Sequence, residues 1–70
     1  MSSTPSLTPK DIVRILKQKG FVLDRTRGSH QIWLHPISRK RVIVPVHNKD
    51  IPIGTLHIIL KHAGIDREEL

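Results

Sequence analysis

The sequence predicts a single two-layer α+β domain in the order helix, three strands, helix. Three observations carry that expectation. Two segments place apolar residues at helical spacing between recognisable start and stop residues, three short apolar runs separated by turn formers lie between them, and 70 residues leave room for only one small core. A chain of this length buries only about 60% of the surface that its unfolded form exposes. The simplest way to bury both helical stripes is to lay them on one side of a three-stranded antiparallel sheet, which leaves the other side open.

Residues 1–7 read as a flexible lead-in to a domain over residues 8–70. A helix starts at Thr8-Pro9-Lys10-Asp11: Thr8 can cap it, Pro9 suits the first helical position, and Asp11 can return a capping-box-like bond while meeting the positive end of the dipole. Ile12, Ile15, Leu16 and Lys19 follow at helical spacing, Arg14, Lys17 and Gln18 take the other side, and Gly20 is the left-handed stop of a helix over about residues 9–19. Strands are expected over 21–26, 29–35 and 40–45, joined tightly at Arg27-Gly28 and by Pro36-Ile37-Ser38-Arg39. In IGTLHIILKHAG, Leu56, Ile59, Leu60 and Ala63 make one apolar stripe, with His57, Lys61 and His62 outside and Gly64 closing the helix. The tail IDREEL can add a further turn capped by Asp66.

The net charge is +6, and residues 1–65 hold eleven Lys/Arg against three Asp/Glu, so the body is more basic than the total. Such a charge on so small a domain points to a polyanion, with nucleic acid first, because each phosphate neutralised releases counterions. The bland reading is a solvated basic face that keeps the protein soluble. The absence of cysteine excludes a disulfide framework and thiolate metal sites. No apolar run reaches the ~18 residues needed to cross a bilayer, no signal-peptide core is present, and a cytoplasmic location is expected.

Five histidines invite a test for a metal site. His30 and His35 would lie on opposite faces of a strand, and His57 and His62 are separated by roughly 140° around a helix, so neither pair chelates naturally. There is no H-E-x-x-H motif, P-loop or G-x-G-x-x-G, and no metal or cofactor is expected. His57 and His62 read as solvated, while His35 and His47 can serve turns or ligands. His30 differs because Gly28 and Ser29 precede it and would let a bound backbone approach; its alternative is a half-buried strand histidine with satisfied nitrogens. One histidine among cations suits RNA cleavage, since RNA brings its own 2′-hydroxyl nucleophile and needs only proton transfer and cationic stabilisation at phosphorus. DNA could be bound but not cut in this way. Trp33 can stack a base or simply pack the sheet.

KGF at 19–21, GSH at 28–30 with Trp33 three places on, VPVH at 44–47 and GTLHIILKHAGI at 54–65 together resemble the HicA family of toxins from HicAB toxin–antitoxin systems, over about residues 9–66. The resemblance implies a fold like the double-stranded-RNA-binding domain, metal-independent cleavage of mRNA that halts translation, and a HicB-type antitoxin, typically acidic, that covers the catalytic histidine. The Gly-Ser-His histidine of that family falls on His30. Gly28 and Ser29 are then expected to admit the RNA backbone, and Arg25, Arg27, Lys40, Arg41 and Lys49 to contact phosphates. Many members carry a second histidine directly after the motif, where this chain has Gln31. The rival readings are a non-catalytic basic RNA-binding module and a protein whose work is chiefly regulatory assembly with its antitoxin.

Overall fold

The computed structural model describes residues 7–46, 50–66 and 68. Helix α1 spans Pro9–Gln18, strands β1, β2 and β3 span Val22–Arg27, His30–Leu34 and Arg41–Pro45, and helix α2 spans Ile53–Ala63. The three strands form one antiparallel sheet in the order β1-β2-β3.

Both ends of α1 and the end of α2 are set locally. At the start of α1 the Asp11 N–H donates to the Thr8 hydroxyl at 3.3 Å and the Thr8 N–H donates back to the Asp11 carboxylate at 3.0 Å, a closed capping box with Pro9 in the first turn. The helix ends one residue earlier than its spacing predicts, with Lys19 as cap, and Gly20 then takes φ 95° while the Phe21 N–H returns to the Leu16 carbonyl at 2.9 Å. That reversal places Phe21 in the core just ahead of β1, so the strand starts one residue later than its apolar run predicts. Helix α2 closes at Gly64 in the left-handed conformation, as expected. Arg67, Glu69 and Leu70 lie outside the described residues, so the expected extra turn does too.

The core joins Ile12 and Leu16 of α1, Leu56, Ile59, Leu60 and Ala63 of α2, and Trp33, Val42 and Val44 of the sheet. Trp33 stands opposite Val42, so both helices cover the same face. The other face is open: Val22 and Ile43 are 51% and 50% exposed. Phe21, Ile51 and Ile65 complete the core from connecting segments.

A register shift between Leu23 and Arg25 decides which side chains reach each face of β1. In a regular strand residues 23, 25 and 27 share one face. Here Leu23 opposes Trp33 on the helix side, whereas Arg25 opposes Ile32 and Arg27 opposes His30, both on the open side. The bulge at Asp24 therefore sends the two arginines across the sheet.

Candidate functional site

The Gly-Ser-His motif forms the tip of the β1–β2 hairpin. Gly28 has φ 58° and Ser29 has no positive φ, the sign pattern of a type II′ turn, which asks for glycine at its first central position and matches the twist of the flanking strands. A Cβ added at Gly28 would meet nothing within 4 Å, so the space over the turn is open. Beyond the turn, His30 is exposed on the open sheet face between Arg27 on one side and Pro45 on the other. Directly opposed residues in such a ladder have Cα atoms about 5.5 Å apart or closer, which puts the Arg27 guanidinium within side-chain reach of the imidazole. Arg25 lies one pair further along the same face, its Nε donating to Asp24 at 3.3 Å.

The far side of this corner is pinned by the backbone. The Val46 N–H donates to the Ser29 carbonyl at 2.6 Å, extending the β2–β3 ladder past His30 to the turn itself. Pro45 and Val46 are thus neighbours of the Gly-Ser-His turn in space. His47 and Lys49 lie outside the described residues. On the other side of that loop the Ile51 N–H donates to the Leu7 carbonyl at 2.8 Å.

Of the expected site residues, the fold brings together Arg25, Arg27, Gly28, Ser29 and His30. Arg41 shares their face but opposes Leu34, four residues from His30 along β2 and so about 13 Å away. Lys40 lies elsewhere: its aliphatic stem passes 3.1 Å from where a Cβ on Gly64 would sit, at the carbonyl end of α2, which favours a cation. Gln31 points away from His30, to the helix side, and accepts a hydrogen bond from the Trp33 indole at 3.1 Å. A side chain directly after the motif therefore faces the opposite layer from His30. Trp33 is 3% exposed, a packing residue.

His35 takes the turn role. Its Nδ1 accepts from the Ile37 and Ser38 N–H groups, both at 3.1 Å, and its Nε2 donates to the Lys19 carbonyl at 3.1 Å. These partners define the neutral ring with the proton on Nε2. The ring stacks edge-on to Phe21 with centroids 5.2 Å apart, and any Cβ at Gly20 would strike Nε2 at 2.9 Å. His35 thus ties the end of α1 to the β2–β3 turn.

Sequence reasoning misses Val46, whose part is played by its backbone alone. It also misses a cleft on the helix side, between α1 and the inner face of β1, lined by Lys10, Val13, Arg14 and Lys17 from the helix and Leu23, Gln31 and Trp33 from the sheet. The signal was present in the cationic side of α1, but the cleft needs the bulge that holds Leu23 inward.

The family model described as HicA toxin of bacterial toxin–antitoxin matches residues 9–65, from the first residue of α1 to the buried Ile65. The chain belongs to the HicA toxin family. A comparison with curated proteins returned no match. Membership makes this HicA-family chain the toxin of a toxin–antitoxin pair, with an antitoxin as partner. The matched segment contains every element of the fold and the whole His30 corner, so the family's defining region and the geometry above coincide. No helix among the described residues is long and apolar enough to cross a membrane.

Proposed function

We propose that this HicA-family toxin is an endoribonuclease that cuts mRNA in the cytoplasm without a metal ion, and that a HicB-type antitoxin neutralises it. The observation that supports the reading best is an exposed His30 on an open sheet face, opposite Arg27 and beside an unobstructed glycine turn. An RNA strand lying on that face meets an imidazole that can accept or donate a proton and cations able to hold its phosphate.

In the proposed reaction the RNA 2′-oxygen attacks the adjacent phosphorus and loses its proton to a base. Negative charge accumulates on the non-bridging oxygens, and the bond from phosphorus to the 5′-oxygen breaks as that oxygen takes up a proton. The products are a 2′,3′-cyclic phosphate and a 5′-hydroxyl. His30 is the proposed catalytic residue, as the base or the acid. Arg27 and Arg25 face the same solvent volume and are the proposed stabilisers of the charge at phosphorus. Gly28 and Ser29 keep the approach clear of side chains. Arg41 is proposed as a more distant phosphate contact, Lys40 and Lys49 as peripheral ones.

The test is His30→Ala in the full chain with a defined RNA substrate. Cleavage is expected to fall by about 10²–10⁴-fold while RNA binding persists, and a 2′-deoxy substitution at the scissile nucleotide is expected to block cleavage by the parent protein. Undiminished cleavage by the variant removes His30 from the chemistry. Binding without cleavage by the parent protein, with or without added divalent cation, supports the non-catalytic RNA-binding module instead.

A further inference from the structure

The cleft between α1 and β1 lies on the side of the sheet opposite His30 and has no part in the proposed reaction. Both helices pack chiefly over β3, and β1 is exposed along its whole length, so α1 stands off its inner face and leaves a cleft between them. Leu23, turned inward by the bulge, is 46% exposed there. Val13 and Leu23 form aliphatic walls, Trp33 lies at the base, and the cleft holds about 980 Å³. Its helical rim carries Lys10, Arg14 and Lys17, a stripe at i, i+4 and i+7 along one side of α1; Arg14 is paired with Asp11 at 3.0 Å, and none of the described residues that line the cleft is acidic.

An aliphatic trough with a cationic ridge can receive nucleic acid or protein, and the floor distinguishes them. Single-stranded RNA draws much of its non-specific affinity from bases stacking on exposed aromatic faces. Among the described lining residues the aromatic is Trp33, 3% exposed and with its indole N–H already given to Gln31. Aliphatic walls fit the apolar side chains of a helix instead, and cations at helical spacing fit carboxylates repeating at the same spacing on a helix laid beside α1.

We propose that this cleft is a docking groove for an amphipathic acidic helix of a partner protein, which places leucine-like side chains against Leu23 and Val13 and its carboxylates against Lys10, Arg14 and Lys17. The proposal is independent of the RNA-cleavage reading, because the groove and His30 occupy opposite faces. A partner docked here leaves the histidine open to RNA, unless it also wraps around the β1 edge.

The full 70-residue chain, isotopically labelled, is titrated with a synthetic helical peptide of about four turns bearing leucines at i, i+3, i+4 and i+7 flanked by glutamates. Saturable shifts are expected at the Val13, Leu23 and Gln31 amides and at the Trp33 indole, with the His30 amide unmoved. Lys10→Glu with Lys17→Glu is expected to weaken the peptide at least about tenfold, as is Leu23→Glu, while cleavage of a short RNA by these variants stays at the parent level. Arg14 is left in place because its ion pair with Asp11 supports the helix cap. The proposal is overturned if the peptide shifts none of these residues, if a lysine-flanked peptide binds as well, if a single-stranded RNA rather than the peptide moves them, or if they shift with protein concentration alone.

Discussion

Gly28 is the residue on which the His30 corner turns, and its role is conformational. At φ 58° with nothing near its absent side chain, it meets a backbone demand and no packing demand. Gly28→Ala is therefore expected to lower unfolding stability by about 1–2 kcal/mol, measured by urea denaturation. Gln31 allows a second test. Because its side chain faces the helix layer and holds the Trp33 indole, Gln31→His is expected to leave the RNA-cleavage rate where it was while lowering stability. A gain in cleavage would show that the residue after the motif reaches the reacting phosphate, which the strand alternation forbids.

At the scale of single elements, the start of α1 and the β2–β3 turn carry the sharpest expectations. The Thr8 backbone N–H, then its hydroxyl and the Arg14 guanidinium, hold the Asp11 carboxyl below its ordinary value of 3.8. A carboxyl lowered on folding stabilises the native state fully above that ordinary value, and the benefit is lost as pH falls through the lowered folded value. Asp11→Asn should accordingly reduce stability at neutral pH and flatten the acid-side decline, seen by comparing urea midpoints at neutral pH and near pH 3. Thr8→Ala, which removes the hydroxyl half of the same box, is expected to cost about 1 kcal/mol. In the β2–β3 turn Arg39 sits at φ 66°, a conformation that a residue with a Cβ adopts at some cost, so Arg39→Gly is expected to raise stability by up to about 1 kcal/mol in thermal unfolding.

At the scale of the whole molecule, the +6 charge and the two faces of the sheet set how the protein meets its partners. The proposed RNA binding on the open face should weaken with salt, and Arg27→Ala should make the dependence of log affinity on log salt shallower by about 0.7, the loss of one phosphate contact on a single strand. An unchanged slope would mean that Arg27 is solvated in the complex.

The order of elements, the capped start of α1, the glycine stops and the apolar stripe of α2 were legible from residues in sequence, because each depends on neighbours within about four positions. So were Gly28, Ser29 and His30 as a unit, since a two-residue turn keeps its members together. Strand ends shifted by a residue where Phe21 was drawn into the core, a tertiary preference that no local pattern carries. The sequence by itself thus determined the helix–sheet plan, the basic charge and the Gly-Ser-His turn. Only the tertiary structure decided which cations accompany His30: the bulge at Asp24 turns Arg25 and Arg27 to its face, the ladder carries Arg41 to the other end, and Lys40 goes to the end of α2. The physical reason is that a strand's faces are set by register, and register is a property of paired strands that no one strand holds alone.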